Sequence, residues 1–296
     1  MKALVIAETP STQELLCAGA RTLADEVHLA TIKGCPVTSI ADYAYNIALP
    51  DDQPSENAFD TVLSLYGEIQ PEVVLLESNP RLKIIGGRLA AQADTSVVSD
   101  VIAFEGEQAQ SLYFGGLAVR TQTVNGPVRF FSTSGAPFTG LEASGTDQIS
   151  EVAFVQPEQP ITLLSSKQIP HEGADLNKAR VVVGAGRGFA KEEDLGLARQ
   201  LCLSVKGELA CSRPLAENVK WMPRSLYLGV SGRQISPHVY LAVGISGQMQ
   251  HMIGVANADI IVAINKDQNA SIFRQADYAI VGDLYKVIPV LVEKLA

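Results

Sequence analysis

Two α/β domains are what this sequence predicts. The first is an N-terminal parallel-sheet domain with added antiparallel strands. The second is a C-terminal doubly wound parallel sheet. Three observations carry that expectation. The chain has 296 residues, against ~100–200 for an ordinary domain. Glycine is plentiful (24) and aromatic residues are scarce (6%), as in parallel sheets buried on both faces. Short apolar runs alternate with helical spacing in both halves, which implies βαβ units.

The first half starts with a strand, Lys2 to Ala7. Ser11 to Ala24 has amphipathic helical spacing, with Leu15, Leu16, Ala18 and Leu23 on one side. Val27 to Ile32 is the next strand, and Asn57 to Tyr66 reads as a helix. The run Val73 to Leu76 inside Pro71–Glu77 is a buried strand, and Lys83 to Ala93 a helix whose Gly86-Gly87 allows close approach. After Thr95 the pattern changes. Val97–Phe104, Ala109–Leu117, Leu117–Thr123 and Val128–Thr133 are short strands, and Asn125-Gly126 predicts a hairpin between the last two. His28 lies in an apolar run and reads as a satisfied core residue. Arg81, Arg88 and Arg120 read as surface ion pairs or partner contacts. Residues 134–175 are rich in Gly and Pro, with at most edge strands at Val152–Pro157 and Ile161–Ser165. The boundary therefore falls near Asp175, giving domains 1–174 and 175–296.

Charge and cysteines exclude several function classes. The net charge of −9 argues against nucleic acid or an anionic membrane as partner. It is unevenly spread: 9 Lys and Arg face 20 Asp and Glu in residues 1–170, whereas residues 171–296 hold 14 and 12. The second half is the better host for an anionic ligand. The four cysteines, Cys17, Cys35, Cys202 and Cys211, form no CxxC pair, so no metal or iron–sulfur framework is expected. They show no disulfide pattern either, which fits a reducing compartment. The apolar run Ala3–Ala7 is too short for a signal peptide, and no ~20-residue apolar stretch predicts a membrane span. A cytoplasmic protein is expected.

The second half is organised around Tyr240 to Asp267, read as strand, Gly/Ser turn, helix over Gln248–Val255 and strand. A turn of this kind presents free N–H groups that suit a phosphate. The same motif recurs. Six candidate strands, at Arg180–Val183, Glu208–Cys211, Leu226–Leu228, Leu241–Val243, Ile260–Ile264 and Tyr278–Val281, end in glycine or a hydrogen-bonding side chain. Ligands of open parallel sheets sit beyond such carboxyl ends, and six ends suffice for a dinucleotide. Gly184-Ala185-Gly186-Arg187-Gly188 resembles the start of GxGxxG, but Phe189 stands where the last glycine belongs. No acidic residue ends the next strand. The nicotinamide fingerprint is not met. Ser231 and Ser246 lack an adjacent base and a GxSxG context, so acyl transfer is unsupported. A guanidinium, a hydroxyl and an imidazole (Arg213, Ser212, His251) can instead stabilise negative charge arriving on an electron-accepting ring.

Residues 179–290 resemble the FAD-binding domain of the electron transfer flavoprotein alpha subunit. The motifs are VVGAGRG at 182–188, CSRP at 211–214, YLAVGISGQMQHMIG at 240–254, VAINKD at 262–267, IFRQADY at 272–278 and VGDLYKVIP at 281–289. The first 170 residues match in layout and weakly in motif. The resemblance implies an electron carrier with no catalytic residues of its own. It shuttles electrons between flavin dehydrogenases, such as acyl-CoA dehydrogenases, and a downstream acceptor. It pairs with a beta subunit that often holds AMP or, in bifurcating members, a second FAD. It also implies FAD contacts at Arg187, Ser212, Arg213, Leu228, Gly229, Val230, Ser231, Ser246, Gly247, Gln248, Met249, Gln250, His251, Asn265, Asp283 and Leu284. Among these, Arg213 matches the arginine beside the isoalloxazine, Ser231 the hydroxyl facing flavin N5, and His251 the imidazole near flavin O2. Ser246 and Gly247 match the pyrophosphate and ribityl positions, and Asn265 and Asp283 the adenosine end. One departure is Gly229-Val230-Ser231-Gly232 where the family usually has GQ[TS]G, so an amide beside the flavin is missing. Two other classes fit the sheet less well: a nicotinamide-dependent oxidoreductase and a non-redox nucleotide-binding module. Arg213 also has a bland alternative, an ion pair with Glu217.

Overall fold

The computed structural model describes residues 1–114, 116, 118–166 and 176–295. They fall into two compact units, one within Met1–Phe114 and Ala118–Lys167, the other within Gly115–Leu117 and Gln168–Ala296. The boundary expected near Asp175 lies outside the described residues, as do Leu117, Pro170 and Gly173.

In the first unit β1 (Lys2–Ile6), α1 (Pro10–Leu23), β2 (Glu26–Thr31), β3 (Tyr43–Ile47), α2 (Phe59–Ile69), β4 (Val73–Glu77) and α3 (Pro80–Gln92) follow in order. Then come β5 (Val97–Val98), β6 (Val101–Glu105), β7 (Gln108–Tyr113), β8 (Ala118–Thr123), β9 (Arg129–Thr133) and β10 (Gln148–Val152). Seven strands form one sheet in the order β10-β3-β2-β1-β4-β9-β5, and every pairing in it is parallel. A continuous apolar run at its centre makes this possible, because Ala3 to Ala7 are wholly buried and feed one core on each face. The helices start where the chain signals it. Asn79 accepts from the N–H groups of Arg81 (2.9 Å) and Leu82 (3.5 Å), and Pro80 opens α3, a cap that satisfies donors the helix cannot. Gly86 is needed for close packing, since a Cβ there would lie 2.1 Å from a Leu76 methyl. His28 is 4% exposed and bonds Tyr45 and Glu26, a satisfied core residue. Arg81 pairs loosely with Glu56 (3.9 Å), while Arg88 and Arg120 lie over the rings of Phe59 and Tyr113.

The expected hairpin at Asn125-Gly126 is not formed. β8 pairs antiparallel with β7, and β7 with β6, in a separate three-stranded sheet. β9 lies parallel between β4 and β5 instead. The cause is burial: Phe130 and Phe131 point to opposite faces and are 0% and 2% exposed, which only an interior strand of a two-faced sheet allows. The run Val97–Phe104 is split into β5 and β6. Val152–Pro157 and Ile161–Ser165 make no ladder beyond the last residue of β10; side chains hold them, with Thr61 Oγ1 accepting from Val155 N and Asn57 Oδ1 from Ile161 N.

The carboxyl end between β1 and β4 is where the strand order of the first sheet reverses. Glu77 fills it. Its carboxylate accepts from the N–H groups of Glu8 (2.8 Å) and Thr9 (2.9 Å) and from the Thr9 hydroxyl (2.6 Å).

The second unit holds β11 (Val181–Ala185), α4 (Leu195–Ser204), β12 (Glu208–Cys211), β13 (Val239–Val243), α5 (Met249–Met252), β14 (Ile260–Asn265), β15 (Tyr278–Val281) and α6 (Leu284–Leu295). Its five strands run parallel in the order β12-β11-β13-β14-β15, with a core on each face. Two expectations change. Leu226–Leu228 is no strand: Arg224–Leu226 is a 3-10 turn, and only isolated bridges join Tyr227 to Cys211 and Leu228 to Arg233. The helix expected over Gln248–Val255 is α5 followed by a 3-10 turn, Ile253–Val255. Gly254 packs there against Gly229, whose N a Cβ at 254 would meet at 2.3 Å.

Candidate functional site

The strand order of the second sheet reverses between β11 and β13. Beyond the carboxyl ends of these strands lies a cleft of about 1170 Å³, above the ~300–1,000 Å³ usual for small-ligand pockets. Such a reversal is where open α/β sheets place ligands. Glycines let the two strand ends meet. A Cβ at Gly186 would lie 2.3 Å from the Gly244 carbonyl oxygen, and one at Gly188 would lie 2.6 Å from the Gly244 Cα. Gly244 itself has φ +64°, a conformation that favours glycine. These glycines serve the joint between strands as much as the cleft.

Ten of the sixteen residues expected to touch FAD line this cleft: Arg187, Ser212, Arg213, Val230, Ser246, Gln248, Met249, Gln250, His251 and Asn265. Leu228, Gly229, Ser231, Gly247, Asp283 and Leu284 do not. Leu228 is wholly buried. Gly229 and Gly247 turn the chain at φ +145° and +85°. Ser231 bonds Tyr227 (3.0 Å), Asp283 Oδ1 accepts from Tyr285 N (3.0 Å) at the start of α6, and Leu284 packs beneath Gly188 and Gly244. The lining also holds residues the sequence did not single out as contacts: Pro214, Tyr227, Gly244, Ile245 and the segment Asp267, Asn269, Ala270, Ser271. The last group follows β14, so the rule that ligands sit past strand ends was available to find it.

The turn after β13 is the best-defined part. The Ile245 carbonyl accepts from Asn265 Nδ2 (2.9 Å). The Ser246 carbonyl accepts from Ile272 N (3.0 Å) and the Ser271 hydroxyl (2.8 Å). The Gly247 carbonyl accepts from Ser271 (3.1 Å) and Gln275 Nε2 (3.2 Å). A trans peptide points its N–H opposite to its C=O. The N–H groups of Ser246, Gly247 and Gln248 are therefore turned away from the 265–275 loop, and none donates to another described residue. Consecutive free N–H groups of this kind attract anions. Arg187, exposed among glycines, lines the same cleft. A large cleft, three free donors and a guanidinium fit the diphosphate of a dinucleotide.

At the other side Arg213 follows β12. Its Nε donates to Glu217 Oε2 (2.6 Å), so the guanidinium is already paired, although its side chain is 63% exposed. Glu217 lies below the usual carboxylate range because Arg213 bonds it. His251 is 8% exposed. Its Nδ1 donates to the Leu228 carbonyl (3.1 Å), and its Nε2 accepts from the Tyr240 hydroxyl (2.8 Å). Burial holds its pKa down at about 4. Burial also pushes the Cys211 thiol up to about 12, so it is an inert neighbour.

The fold and cleft thus define a two-unit α/β protein with an open cleft, lined by free amides and a guanidinium, at the switch point of its second sheet. Residues 175–256 match the family described as "Electron transfer flavoprotein FAD-binding domain". Protein FixB of Escherichia coli O127:H6 is 35% identical over 304 residues, covering 99% of this chain and 97% of the relative. Protein FixB of Salmonella typhimurium is also 35% identical with the same coverage. The chain belongs to the electron transfer flavoprotein alpha subunit family, with the FixB proteins. Among solved structures, the glycosyltransferase SsfS6 of Streptomyces sp. SF2575 overlays with a TM-score of only 0.26 at 13% identity, covering 100% of this chain and 94% of that one.

Proposed function

We propose that this chain is the FAD-holding alpha subunit of a heterodimeric electron transfer flavoprotein. It takes electrons from a flavin dehydrogenase, acyl-CoA dehydrogenases being one such class, and delivers them to a downstream acceptor in the cytoplasm. The observation that carries this reading is the turn Ile245–Gln248, whose carbonyls are all tied back and whose N–H groups are left for an anion. When bound, FAD supplies one- and two-electron chemistry. The protein supplies position and charge. Arg187 and the N–H groups of Ser246, Gly247 and Gln248 would hold the diphosphate. Arg213, cationic at every accessible pH, would lie beside the ring and favour its negatively charged reduced form. Tyr227 and Ser231 keep a hydroxyl pair at the edge of the cleft. Val230, 45% exposed, adds an apolar side chain there in place of a donor.

The test is co-expression of the full chain with a beta subunit. The expected outcome is a 1:1 complex with the absorption bands of bound flavin, reduced by a dehydrogenase and its substrate. The chain alone is expected to retain FAD poorly. A flavin-free complex would overturn the reading, and so would a lone chain saturated with FAD and active without a partner.

A further inference from the structure

We infer that Ser271 and Gln275 are positioning residues for the diphosphate of the bound dinucleotide, acting through the backbone of the turn after β13. The inference rests on the proposed FAD site and names what sets its geometry. Neither side chain was expected from the sequence to have a role. The Gly247–Gln248 peptide can present its N–H to a ligand only while its carbonyl is held on the other side. Two side chains hold it: Gln275 Nε2 at 3.2 Å, and at 3.1 Å the Ser271 hydroxyl, whose single proton is shared with the Ser246 carbonyl. No backbone donor among the described residues does so. The preceding carbonyl, on Ser246, is held differently. It has the Ile272 N–H at 3.0 Å besides the Ser271 hydroxyl, so it stays fixed without Ser271. Close approach of the two loops is permitted by Gly247, where a Cβ would lie 2.2 Å from Ile272 N.

Glycine at 247 has the freedom that makes the following peptide easy to rotate. With both side-chain donors gone, a rotated peptide would aim a carbonyl oxygen, rather than an N–H, at an anion. Either donor alone is enough to prevent this. The two substitutions should therefore be strongly non-additive.

The experiment uses the full chain with its beta subunit, stripped of FAD, and titrates it with FAD, ADP and riboflavin. Ser271→Ala and Gln275→Leu alone should each weaken ADP by no more than about threefold. The double variant should lose about tenfold or more for ADP and FAD, the loss expected when a charge-assisted hydrogen bond becomes a repulsive contact. Riboflavin, which carries no phosphate, should bind the double variant as it binds wild type. Ser271→Thr with Gln275→Leu should restore ADP binding, since threonine keeps the hydroxyl. The Gln248 amide resonance should shift on ADP addition in wild type and not in the double variant. Equal ADP affinity in wild type and double variant overturns the inference while leaving the FAD site intact. Equal loss of riboflavin and ADP overturns it too, as a general disturbance of the fold. A wild-type complex that binds neither FAD nor ADP removes the underlying reading along with it.

Discussion

His251 shows how much a single side chain's partners decide. The family resemblance matches it to the imidazole near flavin O2. In the fold both ring nitrogens are engaged. The Leu228 carbonyl can only accept, so Nδ1 carries the proton, and Nε2 accepts from Tyr240. The ring is neutral and brackets β13 to the turn that follows Tyr227. Its pKa of about 4 lies below the ordinary ~6.5 of histidine. The unfolded chain therefore takes up the proton first as pH falls. The stability held by neutral His251 is complete above ~6.5 and is lost between there and pH 4, on the order of 3 kcal/mol at ~1.36 per unit. Urea denaturation at pH 7 and pH 4.5 should show this loss, and a His251→Gln variant should show less of it. An imidazole resonance titrating near pH 6.5 would contradict the assignment. Arg213 is governed by charge. Arg213→Ala should lower the flavin potential, by about 59 mV for one electron if the differential interaction is ~1.4 kcal/mol, and Arg213→Lys should recover part of it. Glu217→Gln separates the two roles of the guanidinium. If the pair with Glu217 competes with the ring, this variant raises the potential; if Arg213 merely fixes the loop, neither substitution moves it in a redox titration.

Elements were legible where local signals and burial agree, and illegible where they conflict. β1, β4, β13 and β14 are largely apolar runs, and the sequence showed them, with β2, within a residue or two. Asn125-Gly126 is a strong hairpin signal, yet Phe130-Phe131 without alternation demands two buried faces, and the demand of the core prevails. Leu226–Leu228 had the composition of a strand and lies along the edge strand β12, but the 3-10 turn Arg224–Leu226 takes up its start and only Tyr227 bridges to Cys211. The site was half visible. Strand ends announced Arg187, Ser212 and Ser246, whereas the roles of Ser271 and Gln275 depend on a loop folding back across the turn, which no spacing encodes. The joint between β11 and β13 gives a test at this scale. Gly188→Ala would put a Cβ 2.6 Å from the Gly244 Cα, and forced overpacking costs ~1–3 kcal/mol. Gly196→Ala in α4, with open space around its Cβ position, should be neutral or stabilising by up to ~1 kcal/mol. Thermal melts of the two variants compare the joint with a permissive site.

At the scale of the whole molecule, two units divide the work unevenly. FAD binding stabilises what it binds, by ~2.7 kcal/mol at a hundredfold excess over its dissociation constant. Hydrogen exchange should therefore slow on FAD addition in β11, β13, β14 and the segment 244–275, with little change across β1 to β4. Equal protection of both units would place the cofactor elsewhere. No helix among the described residues is long and apolar enough to cross a membrane. The α/β fold class was legible from composition and the alternation of strands and helices; the different fates of the two sheets were not. Both sheets reverse their strand order near the middle. In the second, the cleft at that point offers bare amides and a guanidinium. In the first, Glu77 already sits on the amides of Glu8 and Thr9. Its carboxylate is a resident counterfeit of a phosphate, supplied by the chain at translation and impossible to wash out. A nucleotide arriving there meets a negative charge on amides that are already taken. Equilibrium dialysis with ADP should therefore saturate at a single equivalent per chain, bound at the second sheet.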